Sequence, residues 1–282
     1  MEDSIQYHKD CSMNKLIKLF LLPILFCVIS LSQASVSAAS TDQKIIFDSF
    51  TGVYHLSRDS RGLSLLTSDE TIVGNFPSSG FTGIKRVLSE KFQGHSVSIK
   101  ILSVTDAAGS PIPYTVLSDN NDVTLTIGDS SITLSGSQTI RINYQTRGVI
   151  NLSKKYDELL LGINGRGWSE PFTKVNASLY ISAQFNSKIQ GNPSCYTALN
   201  STNDSSNCQI AVSKTADSTV ITSRALQVSA NQALVIKVDF LPQTFTNNHS
   251  QFIVYIVLVI ITFTAFILVY ARLNKKRKSR KL

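Results

Sequence analysis

The stretch VNASLYISA, residues 175–183, alternates apolar and polar side chains at every step. Neighbouring side chains of an extended chain point to opposite sides, so the apolar and the polar residues fall on separate faces. A period of two is that of a β-strand with one buried and one solvated face. The stretch therefore predicts a strand of a half-buried, antiparallel sheet.

The same alternation recurs on both sides of this stretch. It is present at residues 97–101, 123–127, 140–145 and 236–240. Many short strands, without long helical segments between them, are typical of an antiparallel β-sandwich. We therefore predict a mainly β domain of this type over residues 39–242.

Turn-forming residues separate the predicted strands. The segments DSRG (59–62), DAAGSP (106–111) and SDNND (118–122) combine the Asp, Asn, Ser, Gly and Pro that favour turns. KKYDELLL, residues 154–161, is the one segment that is compatible with a short helix. The domain is thus predicted to contain at most this one helical element.

The N-terminal segment has the order of a secretory signal peptide. Lys15 and Lys18 precede an apolar core from Leu19 to Leu31, and small residues then lead to Ala38. This core is shorter than the about 20 residues that a membrane-spanning helix needs. We predict a signal peptide over residues 1–38 that is cleaved after Ala38.

A second apolar segment lies near the C-terminus. FIVYIVLVIITFTAFILVYA, residues 252–271, carries no charge and has the length of a helix that crosses about 30 Å of hydrocarbon. The basic run RLNKKRKSRKL, residues 272–282, follows it, and Lys and Arg beside a span favour the cytoplasmic side. We predict a juxtamembrane linker over residues 243–251, a transmembrane helix over 252–271 and a basic cytoplasmic tail over 272–282.

These segments predict a single-pass type I protein of the cell membrane with its N-terminal domain outside. The lipid bilayer is then the first expected partner. The net charge of +8 does not indicate nucleic acid, because seven of the 27 Lys and Arg residues lie in the tail and the domain is nearly neutral. The tail itself suits either anionic lipid or a stop-transfer signal, and we favour the stop-transfer signal.

Two cysteines lie in the predicted exterior, Cys195 and Cys208. An even number of cysteines in an oxidising compartment predicts a disulfide. No His or further Cys stands close to them in the sequence, as a zinc site would need. We therefore predict a Cys195–Cys208 disulfide, and we expect neither a metal nor a cofactor.

The sequence contains no familiar catalytic motif. It has neither H-E-x-x-H nor G-x-S-x-G. Asp157 and Glu158 are the first candidates for a hydrolase whose carboxylates are brought together by folding, although strand neighbours point to opposite faces. The structural alternative is an ion pair of Glu158 with Arg86 or Arg166. We expect no enzyme, and keep a hydrolase of envelope polymer or glycan as the alternative.

The stretch DELLLGINGRGWSEPF, residues 157–172, holds the sole tryptophan and three glycines. Its glycines lack the spacing of a phosphate loop, and Pro171 with the following strand excludes the helix that such a loop needs. Asn164 and Gly165 predict a tight turn with a positive φ. Trp168 is expected to cover the core where the chain leaves this turn.

Five segments resemble, in order, one family of predicted bacterial membrane proteins, the domain of unknown function 2207. They are residues 47–76, GFTGIKRVL (80–88), IGDSSITLSGSQTIRINY (127–144), DELLLGINGRGWSEPF (157–172) and CYTA (195–198), with Ala198 where the family usually has Gly. The resemblance covers about residues 44–240 and the membrane segment that follows. It implies an extracytoplasmic N-terminal domain and no established activity.

The resemblance also marks a set of residues as a structural signature. They are Gly80, Gly83, Arg86, Gly128, Asp129, Asp157, Glu158, Asn164, Gly165, Trp168 and Pro171. We expect a membrane-anchored extracytoplasmic β domain that serves as a binding or assembly module at the cell envelope. Its partner would be a membrane protein or a component of the envelope.

Overall fold

The structure is a computed structural model of the 282-residue chain. It describes residues 44–78, 80–92, 94–119, 121–199, 202–246 and 256–270. The predicted signal peptide and the predicted basic tail both lie outside these residues. The described residues up to 246 form a β domain, and residues 256–270 are helical.

The β domain is built from strands of two to thirteen residues. In chain order they are β1 (Ile46–Arg58), β2 (Ser64–Phe76), β3 (Gly83–Ser89), β4 (Lys91–Phe92), β5 (His95–Ser96), β6 (Ser98–Thr105), β7 (Tyr114–Ser118), β8 (Asp122–Gly128), β9 (Gly136–Arg147), β10 (Ile150–Leu152), β11 (Asp157–Gly162), β12 (Phe172–Ser182), β13 (Ile189–Leu199), β14 (Thr202–Asp204), β15 (Gln209–Lys214), β16 (Ser218–Val228) and β17 (Ala233–Phe240). A short 3-10 helix, Ala183–Phe185, follows β12.

Three larger sheets contain most of these strands. A seven-stranded sheet has the order β15-β16-β12-β1-β2-β9-β6, a five-stranded sheet the order β10-β11-β17-β13-β14, and a three-stranded sheet the order β3-β8-β7. Strands β4 and β5 form a separate hairpin. The prediction of a mainly β domain with mostly antiparallel sheets is confirmed.

One strand pair departs from the predicted antiparallel arrangement. β1 and β12, in the middle of the seven-stranded sheet, run parallel, with Phe50 opposite Val175. Parallel neighbours need a long crossover connection. Here the crossover is the chain between β1 and β12, which contributes strands to every sheet before it returns. A local sequence pattern could not reveal this parallel pair, because its two strands are far apart in the sequence.

One hydrophobic core joins the three larger sheets. The alternating positions that predicted the strands are buried in each sheet, for example Leu179 in β12, Leu125 in β8 and Val238 in β17. Side chains at the intervening positions are more exposed. The predicted alternation is therefore confirmed as the division between the core and the solvated faces.

Residues 154–161, the segment that was compatible with a short helix, do not form one. Asp157–Gly162 form β11, which is hydrogen-bonded to β10 on one side and β17 on the other. The residues before it form a tight turn, in which the Ser153 hydroxyl donates to the Tyr156 carbonyl at 2.6 Å. Pairing on both edges buries Leu159, and this tertiary gain overrides a weak local helix preference.

The packed domain continues past β17 to Thr246. Phe245 is 3% exposed, and its ring lies 4.9 Å from that of Phe185. The Thr246 backbone N–H donates to the Gly62 carbonyl at 2.9 Å. Residues 243–246 of the predicted linker therefore pack on the β domain, while 247–251 lie outside the described residues.

Residues 256–270 are the described portion of the predicted span 252–271. They form a helix in which every residue is exposed. No helix within the described ranges has both the length and the hydrophobicity needed to cross a membrane.

Candidate functional site

The stretch DELLLGINGRGWSEPF forms a corner between two sheets, called here the glycine–tryptophan corner (residues 157–172). It begins as β11 of the five-stranded sheet and ends at Phe172, the first residue of β12 in the seven-stranded sheet. Gly165 and Gly167 have φ values of 66° and 87°, which glycine adopts without steric cost. The predicted turn with positive φ is confirmed. Because a strand follows it, the corner lacks the helix N-terminus of a phosphate loop.

Trp168 closes the corner from the inside. It is 4% exposed, and its indole N–H donates to the Asn164 carbonyl at 2.7 Å. Its ring meets those of Phe47 and Phe172 edge to face, at centroid distances of 5.1 and 5.0 Å. Edge-to-face aromatic contacts add to the stabilisation from burial. The prediction that Trp168 covers the core is confirmed.

Asn164 ties the corner to the start of β17. Its side-chain amide donates to the Gln232 carbonyl at 2.8 Å and its side-chain oxygen accepts the Leu234 N–H at 3.0 Å. Asn164 is 1% exposed, so these bonds satisfy a buried amide that would otherwise be costly. The Trp168 carbonyl accepts a further bond from the Asn231 N–H. The side chain at position 164 therefore acts as a bridge between the corner and β17.

A buried ion pair lies beside the corner. The Arg86 guanidinium on β3 donates from Nε and Nη2 to the two oxygens of Glu70 on β2, at 2.8 and 2.7 Å. Arg86 and Glu70 are 2% and 0% exposed. Arg86 also donates to the Val87 carbonyl, and its guanidinium lies 5.5 Å from the centre of the Phe50 ring. This two-bond pair joins the three-stranded sheet to the seven-stranded sheet.

Two tyrosines complete this polar cluster. The Tyr144 hydroxyl donates to Glu70 at 2.7 Å, and the Tyr54 hydroxyl donates to the Ile163 carbonyl at 3.1 Å with a longer contact to Glu70. Burial, reinforced by the Glu70 carboxylate, raises the pKa of both phenols well above their usual value. Burial alone would lower the pKa of Arg86, but the Glu70 carboxylate raises it. The tyrosines therefore remain donors and the guanidinium remains charged.

Glycine is required where two chain segments come closest. Gly83 and Gly128 stand opposite each other in the β3–β8 pair. A Cβ on Gly83 would overlap the Ile127 carbonyl, and a Cβ on Gly165 would overlap the Arg86 guanidinium. These glycines of the signature therefore permit the sheet register and the position of the buried ion pair.

Three further signature residues lie near the ends of strands, where they contribute to turns or to the start of a strand. Gly80 has a φ of 91° before β3, and Pro171 is exposed immediately before β12. Asp129 accepts bonds from the hydroxyl and backbone N–H of Ser131 at 2.7 and 2.8 Å. These bonds hold the pKa of Asp129 below its usual value. They stabilise the turn that follows β8.

Asp157 and Glu158, the candidate hydrolase acids, have structural partners. Asp157 is 1% exposed and accepts the Phe245 N–H at 3.0 Å; burial raises the pKa of its carboxyl. The Glu158 carboxylate accepts a hydrogen bond from the Lys237 ammonium group at 2.9 Å, and this bond raises the pKa of Lys237. As adjacent strand residues the two acids point to opposite faces. The Asp157 carboxylate thus binds the backbone of the last residues of the β domain, and the Glu158 carboxylate links β11 to β17.

The expected pairing of Glu158 with Arg86 or Arg166 is wrong. Arg86 pairs with Glu70, and Arg166 pairs with Asp122 at 2.6 Å. The Arg166 side chain is 62% exposed, so this second pair is a surface contact. Glu158 instead lies beside Lys237, which the β11–β17 pairing brings next to it.

Cys195 and Cys208 form a disulfide with a Cα–Cα distance of 6.0 Å, as predicted. Cys195 lies in β13 of the five-stranded sheet and Cys208 immediately precedes β15, an edge strand of the seven-stranded sheet. The bond therefore links these two sheets and removes both thiols from chemistry. Within the described ranges, no group of three His, Cys, Asp or Glu residues could hold a metal ion.

A cavity of about 400 Å³, called here the corner cavity, lies where the three larger sheets meet. Its walls come from β2 and β9, from β3, from β11 and from the glycine–tryptophan corner, and most are apolar, such as Leu66, Leu88 and Leu161. Arg86 and Tyr144 of the polar cluster also line it. Its volume falls within the range of small-molecule pockets. Its mostly apolar lining suits an apolar group, and Lys91 and Arg166 also line it.

Sequence reasoning identified Arg86 but missed the other three members of the polar cluster, Glu70, Tyr54 and Tyr144. A signal for Glu70 was present. Glu70 lies an even number of residues from both Leu66 and Ile72 in β2, so its side chain points to the same face as theirs. The alternation therefore placed an acid on the core face. Arg86 likewise lies between Ile84 and Leu88 on the core face of β3. Two opposite charges at buried positions of two strands predict a buried pair.

Comparison with protein families gives a match over most of the β domain. Residues 53–233 match the family described as "Predicted membrane protein (DUF2207) N-terminal domain". This is more than half of the chain, so the chain belongs to that family. No curated protein sequence matches the chain at a significant level.

Solved structures show distant likenesses. A protein from Parabacteroides distasonis proposed to be a protease is 11% identical, with a TM-score of 0.41 and coverage of 68% of this chain and 40% of that chain. The M1 zinc metallopeptidase from Deinococcus radiodurans is 10% identical, with a TM-score of 0.38 and coverage of 69% of this chain and 42% of its own. This chain thus spans less than half the length of either protein. Nothing about activity follows from likenesses at this level.

Proposed function

We propose that this member of a family of predicted membrane proteins is a membrane-anchored extracytoplasmic domain that binds a partner at the cell envelope. The proposed binding site is the corner cavity. The observation that carries this proposal is that three sheets and the glycine–tryptophan corner, which lies within the family match, form the walls of one mostly apolar cavity. A partner would insert an apolar side chain or an apolar small group there.

The polar cluster beside the cavity supports binding rather than catalysis. The Glu70 oxygens already accept two bonds from Arg86 and one from Tyr144. A catalytic base needs a free lone pair within reach of a substrate proton. The cluster instead fixes the walls of the cavity, as a preorganised site requires.

Two features support the proposed location. The segment 252–271 is uncharged and apolar, and its described residues 256–270 are helical and exposed, as expected of side chains that contact lipid. The Cys195–Cys208 disulfide suits an oxidising compartment outside the cytoplasm. We propose the single-pass arrangement with the β domain outside and the basic tail inside.

Photo-cross-linking from the cavity tests the proposal. Leu161 lines the corner cavity and is partly buried, so a benzoylphenylalanine at this position would face an inserted group. Leu226 on β16 is 45% exposed and does not line the cavity, so it is the matched control. In intact membranes of the native host, we expect one adduct of defined mass from position 161 and none of that mass from position 226.

A blocked cavity gives the second arm of this experiment. Ala198 lines the same cavity from β13, and Ala198→Trp should fill it. The adduct from position 161 should disappear in this variant, while circular dichroism shows that the domain is folded. An adduct that persists in the filled cavity, or that forms equally from position 226, contradicts the proposal.

A further inference from the structure

A second cavity of about 910 Å³, called here the arginine cavity, lies at the end of the domain from which the chain continues toward the predicted membrane span. Its lining includes Arg61 and Leu63 from the β1–β2 turn, Arg147 at the end of β9, and Thr246. Thr246 is anchored there, because its hydroxyl donates to the Arg61 carbonyl at 2.9 Å. The last described residue of the β domain is therefore part of this cavity's wall.

The short connection to the predicted span restricts where this cavity can be. The span begins at Phe252, six residues after Thr246. A fully extended chain rises at most about 3.3–3.6 Å per residue, so these residues can reach about 20 Å. If residues 252–271 are the anchor, the arginine cavity lies within that distance of the lipid head groups.

The electrostatic character of the cavity favours an anion. Its lining includes two arginines and His95 but, among the described residues, no Asp or Glu. Arg61 is paired at 3.1 Å with Asp59, which lies outside the lining, and remains 51% exposed. The positive charge on the cavity wall is thus only partly compensated.

Arg147 provides a second, independent observation. Its Nε is buried and has no hydrogen-bond partner among the described residues. A buried donor without an acceptor costs about 1–3 kcal/mol, and such groups normally have a partner. A rotation of the side chain that turns this N–H toward the cavity would let a phosphate oxygen accept it, because guanidinium groups bind phosphate through two parallel N–H bonds.

We infer that the arginine cavity binds the phosphate-bearing head group of a membrane lipid, with Arg147 as the principal donor. This inference rests on the proposed membrane anchor, which places the cavity at the bilayer surface. This cavity and the corner cavity share Val97 in their linings, and their other lining residues differ. A lipid bound in the arginine cavity would hold the β domain in a defined orientation on the membrane.

The test is native mass spectrometry of the full chain in a neutral detergent, titrated with phosphatidylglycerol or with diacylglycerol, which lacks the phosphate. Arg147→Gln removes the proposed donor. Arg141→Gln is the matched control, because Arg141 is an exposed residue of the same strand, has the same side-chain parity and does not line the cavity. Both variants lose one charge and keep the basic tail.

We expect wild type to retain phosphatidylglycerol in preference to diacylglycerol. Arg147→Gln should weaken this binding by about tenfold, the effect of one hydrogen bond to a charged group, and Arg141→Gln by less than about twofold. Equal binding by the two variants, or equal retention of both lipids, overturns the inference. Displacement of the lipid by an equal concentration of inorganic phosphate would also overturn it, because the site would then be one for free anions.

A measurement on wild type covers the case in which Arg147→Gln does not fold. Hydrogen exchange of residues 147–152 should slow when phosphatidylglycerol is added and stay unchanged with diacylglycerol; no slowing overturns the inference.

Extraction of membranes with alkaline carbonate tests the anchor separately. Release of wild type from membranes would refute the anchor, whereas retention with equal lipid binding by the two variants would refute the lipid site alone.

Discussion

The buried pair of Glu70 and Arg86 gives the most specific prediction about this fold. We consider Arg86→Met, Glu70→Gln and the double variant. Each single change removes one charge and leaves the other in a site where both side chains are at most 2% exposed. The double variant removes both charges and keeps the volume of the side chains nearly constant.

The geometry sets the expected size of the effect. Breaking a buried ion pair by removing one partner costs about 3–5 kcal/mol, because an uncompensated charge remains. The Tyr144 hydroxyl also loses its charged acceptor when Glu70 is changed, since it donates to that carboxylate at 2.7 Å. We therefore expect each single variant to lose about 3–5 kcal/mol of stability. The double variant leaves no unpaired charge, so it should lose less than either single variant, with a coupling energy above about 3 kcal/mol.

Guanidinium chloride unfolding of the full chain in detergent measures these values. Trp168 is the sole tryptophan and is buried in the neighbouring corner, so its fluorescence reports this region. Arg166 and Asp122 supply the control pair, since they form a 2.6 Å contact with Arg166 62% exposed. Changes to that pair should cost about 0–1 kcal/mol. Additive losses within about 0.5 kcal/mol at Glu70 and Arg86 would refute the reasoning.

Three further changes test other parts of the domain. Trp168→Ala should destabilise the domain by about 3–5 kcal/mol, as measured by unfolding that is monitored by circular dichroism. A loss of unfolding free energy below about 1 kcal/mol would contradict the role of the ring as part of the core. Replacing both Cys195 and Cys208 by Ser should cost about 3 kcal/mol, the entropy of opening a loop of this length, and wild type should fall to the same stability on reduction. Burial raises the pKa of Asp157, so the folded state holds its proton more tightly than the unfolded chain. The Asp157 contribution to stability is therefore present below about pH 4 and is lost as pH rises through the folded pKa, and Asp157→Asn should gain stability relative to wild type between pH 4 and pH 7 in urea titrations.

The positions of several strands could be predicted from the sequence, while the pairing of strands that are far apart in the sequence could not. Alternation located β8, β9, β12 and β17 because one face of each strand is buried, and a period of two directly records that burial. The parallel β1–β12 pair depends on which strands meet after a crossover of more than a hundred residues. No local pattern specifies that choice.

The candidate site was predicted in part for the same reason. Trp168 and the glycine turn are local features, since an Asn-Gly step and a large aromatic residue have defined preferences. Glu158 was assigned the wrong partner because its pairing with Lys237 arises across two strands that are far apart in sequence. The corner cavity depends on the packing of three sheets, and such packing is absent from any single stretch of residues.

The buried ion pair gives Arg86, a residue of the expected signature, a structural role. Apolar packing is non-directional, so it specifies the relative position of the three-stranded and seven-stranded sheets less strictly than directional bonds do. The two bonds between Arg86 and Glu70 require one relative position, because any shift would leave both charges buried and unpaired. Arg86 lines the corner cavity, so the same bonds fix one of its walls. On this hypothesis Arg86→Met with Glu70→Gln should recover stability but not the cross-link from Leu161, whereas recovery of both would show that apolar packing is enough to shape the cavity.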